Sequence, residues 1–426
     1  MTRLHILNEN SGRTPQDIVP LAELERLIQG ILENAGEQAA VDAVDATLRH
    51  AAHYGASDVH FEPWRDCLAI RFRIDGLLHD IAQLPKAHHA KLAARIKILA
   101  RIVVYQRETP QDGRIEPEAT PAGRAMRVAT LPTVNGEKLI VRLLRTPRDV
   151  LALDALGFQP GVIDGLRAFC ERPQGVLLLT GPSSSGKTTT IYATLDELLK
   201  RRQPTPHVVT LEDPVECRLD RIAQTQVAPA AGFTFEAGLR AILRQDPEVI
   251  VVGEIRDPET ARAAIQAGLT GHLVISTIHS GTAAGVFARL LDMGVEPYLL
   301  ASSVTAVLAQ RLVRMNCPEC TEAYEPGPAL QAAFGLTDTG TPVKHGKGCP
   351  ACQGIGYAGR TAIGEWLRVD DAFAQLVLTR PRTAELHEAA LRAGMESLGT
   401  SARGLIRQGI TSLEEVNRVL PAECSI

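Results

Sequence analysis

Residues 175–190 read GVLLLTGPSSSGKTTT. The apolar run GVLLLT has the character of a buried strand. It passes into Gly181-x4-Gly186-Lys187-Thr188, and a helix opens at the lysine. The glycines permit a tight loop whose backbone N–H groups converge on phosphate oxygens. The helix N-terminus adds its positive dipole. The nucleotide-binding stretch is therefore Gly181, Pro182, Ser183, Ser184, Ser185, Gly186, Lys187, Thr188 and Thr189. Lys187 is placed to reach the β- and γ-phosphates, and Thr188 to hold Mg²⁺. A chance glycine-rich turn would need neither the strand before nor the helix after.

Three similar apolar runs follow: HVVTLED, EVIVVGE and HLVISTI. Each lies between helical stretches. Strands buried on both faces by crossover helices look like this, so the segment reads as a parallel α/β sheet. A nucleotide hydrolase also needs an acid near the metal and a group to orient water. Glu254 follows the strand of EVIVVGEIRD, where an aspartate is commoner. The extra methylene suits contact with the metal through a water. A second acidic cluster, Glu212, Asp213 and Glu216, ends the strand of TLEDPVE. Taken alone, it reads as a solvated Asp-Pro turn. Beside a phosphate loop, Glu212 is placed to polarise the attacking water. His272 and His279 flank the next strand in GHLVISTIHS. His279 lies at its C-terminal end, where ligands sit in open α/β sheets. Packing and γ-phosphate contact are both open to it, since a lone histidine is more often a packed polar residue.

Before this core, SDVHFEP, LAIRFRID and LHDIAQL alternate as strands do. KLAARIKILARI reads as an amphipathic helix, and PQDGRIE, RAMRVATL and EKLIVRLL as further strands. Asp58, His60 and Glu62 alternate and share one strand face. A metal triad and an ordinary polar strand face both fit them. The expected order is a short N-terminal segment (1–36), an α+β domain (37–148), the ATPase core (149–310), a cysteine module (311–365) and a C-terminal helical region (366–426).

That module opens with CPEC, Cys317 to Cys320, and 28 residues later comes CPAC, Cys349 to Cys352. Four thiolates so spaced can close a tetrahedral Zn²⁺ site with no open position, which makes the site structural. Disulfides are the alternative, and they suit an oxidising compartment. The start of the chain has no apolar signal core, so a reducing cytosol is expected. Cys67, Cys170, Cys217 and Cys424 are scattered and read as ordinary thiols. No apolar run is long enough to span a bilayer. A net charge of −4 and a pI of about 6.3 argue against a chain-wide grip on nucleic acid.

The four core elements occur in one order: phosphate loop, TLEDPVE, VVGEIRD, GHLVISTIHS. Together they resemble the secretion ATPase superfamily of type II secretion and type IV pilus systems, where they are the Walker A, Asp box, Walker B and His box. ASDVHFEP, RFRIDG, PQDGR and RVATLPTVNGEKLIVRLL match that family's first domain, and GITSLEEVNRV its end. The resemblance covers most of the chain. It implies a RecA-like core, a PAS-like first domain and a homo-hexameric ring with ATP between the two domains. It makes Glu212 the general base, Glu254 the Walker B acid and His279 the γ-phosphate contact. It maps the family's arginines onto Arg114 and Arg127, and guanidinium suits charge stabilisation there. The tetracysteine module belongs to the assembly branch, which retraction motors generally lack. The implied protein is cytoplasmic, peripheral to the inner membrane, and works on a platform protein there. Its ATPase powers assembly of a type IV pilus or a secretion pseudopilus. A DNA-transfer motor, a pilus retraction ATPase and a non-hydrolysing scaffold are the rivals. The segment before the first domain is short, so the docking domain of longer family members is not expected. IHSGTA replaces an LHTN-type run, and Ala129 stands where serine is usual.

Overall fold

The computed structural model describes residues 18–34, 36–144, 146, 149–335 and 342–420. Cys424 and the first 17 positions of the N-terminal segment fall outside them. The chain divides into two compact units, Met1–Thr146 and Pro147–Ile426.

The first unit opens with α1 (Leu21–Asn34) and α2 (Ala39–His53), then β1 (Asp58–Pro63), β2 (Cys67–Ile74) and β3 (Leu77–Pro85). It continues with α3 (His89–Leu99), β4 (Gln111–Ile115), β5 (Met126–Thr133) and β6 (Gly136–Leu143). The strands form one antiparallel sheet in the order β3-β2-β1-β6-β5-β4. Every second residue points to the same side. Val59, Phe61, Leu68, Ile70, Phe72 and Val141 are buried in a core with Leu24, Ile28, Val44 and Leu48 of the helices. The other side is charged. Arg142 Nε lies 2.8 Å from Asp58 Oδ1, and Lys138 Nζ 2.6 Å from Glu62 Oε1. Asp58 and Glu62 thus spend acceptor sites on cross-strand cations, as a polar sheet face does. A cavity of about 400 Å³ is lined by His89, Lys97, Glu108 and Glu137, among others. Lys97, 1% exposed, donates to both Glu137 oxygens at 2.8 and 3.1 Å and to the Gln106 carbonyl at 2.7 Å. Its three donors are thereby satisfied, and the pair fastens the loop before β4.

The second unit begins with α4 (Pro160–Cys170), β7 (Gly175–Thr180), α5 (Lys187–Arg201), β8 (Val208–Glu212) and β9 (Ala223–Gln226). Then come α6 (Phe235–Ile242), β10 (Val249–Val252), α7 (Pro258–Leu269), β11 (Leu273–Ile278), α8 (Ala283–Asp292) and α9 (Pro297–Ser303). The long strand β12 (Val304–Asn316) leads to β13 (Thr321–Tyr324), α10 (Pro328–Ala333), β14 (Val343–Gly346) and β15 (Tyr357–Arg368). Four helices close the described chain: α11 (Asp371–Leu378), α12 (Thr383–Arg392), α13 (Leu398–Arg407) and α14 (Leu413–Val419).

Seven strands make one sheet in the order β15-β12-β7-β11-β10-β8-β9. All neighbours are parallel except β12 and β15. Alternate residues of the central strands enter opposite cores. Val176, Leu178, Val209, Ile250 and Val274 meet α6 to α9. Leu177, Leu179, Val208, Val251 and Ile275 meet α4 and α5. Each fully buried side chain of this kind contributes roughly 1.5–3 kcal/mol. The cysteine stretch leaves the sheet along β12 and returns along β15. It rests on a smaller core of Val313, Val343, Ile363, Leu398, Ile406 and Val416.

Candidate nucleotide and metal sites

The phosphate loop joins β7 to α5. Gly181 and Gly186 have φ of 149° and 91°, in the region that favours glycine. A Cβ on Gly181 would lie 2.5 Å from the Gln310 carbonyl oxygen and 2.6 Å from Ser185 Oγ. Pro182, Ser183 and Ser184 are exposed, Ser185 is buried, and Thr188 and Thr189 are half-buried at the start of α5. Lys187 Nζ donates to the carbonyls of Gly181 and Pro182 at 2.8 and 3.0 Å, so its ammonium lies across the loop. Burial lowers its pKa, opposed by Glu254 and reinforced by Arg311.

Glu254 follows β10 and is half-buried. Its Oε2 lies 3.7 Å from Nε2 of the exposed His279, and its Oε1 pairs with Arg256. Arg256 also reaches Asp213, at 3.6 Å. Lys187, Glu254 and His279 thus gather at the C-terminal ends of β7, β10 and β11, the ligand side of a parallel sheet. His272 is at the other end of β11, where Nδ1 faces the Ala267 carbonyl at 3.1 Å and packs the end of α7.

Glu212 ends β8 and is buried. Tyr192 donates to its Oε2 at 2.5 Å. Thr210 and Gln224 donate to its Oε1 at 2.6 and 3.0 Å. Three of about four acceptor positions on the carboxylate are thereby taken. Glu216, by contrast, is exposed. Arg114 and Arg127 face each other across β4 and β5 and are both largely exposed. Their partners are Glu116 at 3.5 Å and Asp112 at 3.2 Å. Such surface pairs hold a side chain only weakly.

Residues that the motifs did not single out complete the surroundings. Thr180 donates to the Ser280 carbonyl at 2.9 Å and accepts from the Ser280 N–H at 2.8 Å. This ties the phosphate loop's strand to the His279 turn. Gln310 and Arg311 of β12 lie against the same loops. Only the threonine carries a local signal, as the last residue before the glycine.

A parallel sheet with helices on both faces and a strand–glycine loop–helix at its ligand edge defines a P-loop ATPase.

The second site is the cysteine cluster. Sγ–Sγ separations are 3.8 Å for Cys317–Cys349, 3.8 Å for Cys320–Cys352 and 3.7 Å for Cys349–Cys352. All four sulfurs lie within 4.8 Å of one another. A tetrahedron with Zn–S bonds of about 2.3 Å has edges of about 3.8 Å, so the donor set fits a metal of that size. The backbone N–H groups of Cys349 and Gly356 both donate to Cys352 Sγ at 3.2 Å. Burial opposes ionisation there, but these donors hold the Cys352 thiol below its usual range. Cys170 and Cys217 are buried elsewhere, and neither they nor Cys67 forms a disulfide.

Comparison with known proteins gives the family. The model of the type II/IV secretion system protein family matches residues 33–418. Type II secretion system ATPase E of Vibrio cholerae is 43% identical over 97% of this chain and 82% of its own length. The type IV pilus assembly ATPase PilB of Thermus thermophilus is 41% identical over 89% of this chain and 43% of its own. The crystal structure of the Legionella pneumophila ATPase DotB has the same fold, with a TM-score of 0.65 and 20% identity over 88% of this chain and 94% of that one. The chain belongs to the type II/IV secretion system protein family. Among the described residues, no helix is long and apolar enough to cross a membrane.

Proposed function

We propose that this chain is the ATP-hydrolysing motor of a type II secretion or type IV pilus assembly machine. It works as a homo-hexamer on the cytoplasmic side of the inner membrane, against a platform protein there. The carrying observation is the gathering of Lys187, Glu254 and His279 beside the phosphate loop. It is supported by likeness to secretion and pilus-assembly ATPases over nearly the whole chain.

The backbone N–H groups of the loop bind phosphate oxygens, and Lys187 leaves its carbonyl partners to neutralise the β- and γ-phosphates. Thr188 and Glu254 would hold Mg²⁺, which supplies Lewis-acid neutralisation of the transferred phosphoryl group when bound. Glu212 activates water through its remaining acceptor position, and His279 contacts the γ-phosphate. Arg114 and Arg127 add positive charge during turnover, a role that rests on the family resemblance and on their exposure. Zn²⁺ in the cysteine cluster is structural. The donors that enclose Glu212 favour a second reading, in which Glu254 is the base and Glu212 positions β8.

Glu212→Gln and Glu254→Gln decide between the two. In Glu212→Gln the amide oxygen can accept from Thr210 and Gln224, while Tyr192 turns its hydroxyl to accept. The variant should therefore fold. The first reading expects it to bind ATP and release phosphate at least about a hundredfold more slowly, a barrier rise of about 2.7 kcal/mol. Near-normal release from Glu212→Gln, with release abolished in Glu254→Gln, selects the second. Alanine at Arg114 or Arg127 should leave the fold intact and cost about tenfold or more in rate. Normal rates in both would remove the arginines from the mechanism.

A further inference from the structure

The phosphate loop and the His279 turn end two different strands, yet one hairpin grips both. Gln310, buried on β12, donates Nε2 to the Ser185 carbonyl at 2.8 Å. Its own carbonyl is the atom that a Cβ on Gly181 would strike. Arg311 donates Nη2 to the Gly281 carbonyl at 2.8 Å and Nη1 to the Gln310 carbonyl at 2.9 Å. Glu365, on β15 opposite Ala309, accepts from the Ala283 N–H at 3.0 Å. These side chains lie at three successive register positions of the antiparallel pair, where Ala309 faces Glu365, Gln310 faces Gly364 and Arg311 faces Ile363. Their targets are backbone atoms of residues 185, 281 and 283, on either side of the nucleotide chemistry.

Glu365 is the least expected of them. It is 2% exposed, and burial pushes its pKa up against the backbone N–H groups of Ala283 and Leu398, His387 and Arg311. His387 Nδ1 stands 3.9 Å away. Packing alone gives no reason for a carboxylate here, because apolar residues of similar volume fill such places at least as well. What an apolar residue cannot do is accept from the N–H groups that open α13, at Leu398, and α8, which begins four residues after His279.

We propose that Gln310, Arg311 and Glu365 are positioning residues of the ATPase site, with separate tasks. Gln310 sets the phosphate loop, and so the binding of ADP and ATP alike. Arg311 and Glu365 set the His279 turn, and so turnover. The second task rests on the γ-phosphate role given to His279 above. The same strand β12 ends one residue before Cys317, so the hairpin joins both nucleotide loops to the cysteine module.

The test uses the full chain, with ADP and ATP affinity by titration and phosphate release at saturating ATP. Gln310→Ala should weaken both nucleotides at least fivefold and change kcat less than twofold. Glu365→Met keeps the volume and removes the acceptor. It should lower kcat at least tenfold and leave ADP affinity within twofold. Glu365→Gln should recover most of that loss, because its amide oxygen can accept from Ala283. Thermal unfolding of each variant shows whether the fold has survived. Equal losses in ADP affinity and kcat for Glu365→Met, or no recovery in Glu365→Gln, would make Glu365 merely structural and overturn the proposal. His279→Ala separates the two ways of failing. Normal kcat in His279→Ala sinks the γ-phosphate assignment and the Glu365 arm with it. A tenfold fall in His279→Ala beside normal Glu365→Met sinks the present proposal alone.

Discussion

The phosphate loop and the cysteine cluster both border β12, and they are made in opposite ways. The loop presents backbone: a run of consecutive residues whose glycines let the chain turn with Gln310 packed against it. The cluster presents side chains: four sulfurs from two turns, with Cys317 and Cys349 32 residues apart in the chain. A site built of backbone depends on the fold that shapes it. A site built of side chains can shape the fold, because metal binding adds to the folding free energy of a segment with little core of its own. Loss of function at the first should therefore leave the structure standing. Loss of a ligand at the second should loosen structure while the phosphate loop still works.

The widest break in this comparison is Lys187→Ala. Phosphate release should fall at least about a hundredfold, while thermal unfolding stays within a few degrees of the parent. Unfolding of this variant would mean that the loop's own contacts hold the core together. A smaller and differently placed effect is expected of Cys352→Ser. Zinc content should drop from one ion per chain to well below it, and limited proteolysis should cut between residues 317 and 352. ADP affinity should remain within about threefold, roughly 0.7 kcal/mol. A parent chain purified without added zinc that holds no metal, with the cysteines in disulfides, would end the metal assignment. The mildest test exchanges Glu322 and Lys347, whose ion pair of 3.0 Å lies on the exposed face of the module. Surface pairs of this kind contribute about 0–1 kcal/mol, so the fold and the chain's own ATPase rate should not change. If the module docks on the platform protein, stimulation by that partner's cytoplasmic domain should fall. Unchanged stimulation after wide exchange of this surface would leave the module a purely structural cap.

The alternating strands of the first unit were legible because their pattern has period two and each lies beside a turn. The central strands of the second unit were legible for a different reason, as short apolar runs ahead of acids and glycines. Strand β9 was not, since AQTQ has no apolar run and is half-exposed at the sheet edge. The pairing of β12 with β15 was hidden too. Arg311 and Glu365 are separated by more than fifty residues, and nothing local says that pairing brings them within two register positions of each other. Glu212 shows the same limit within the site. Its place at a strand end is written in TLEDPVE, but Tyr192 and Gln224 come from α5 and β9, and only folding brings them to its carboxylate.

The sequence by itself determined the phosphate loop, the order of acid and histidine motifs after it, and the two cysteine pairs. Each is a short run whose chemistry depends on spacing along the chain, and spacing survives without a fold. Tertiary structure alone decided which carboxylate is enclosed and which stands beside His279, how well four sulfurs fit a tetrahedron, and what holds the nucleotide loops. Those are contacts between residues far apart in the chain. They exist only after burial of the two sheet faces has fixed which strands are neighbours.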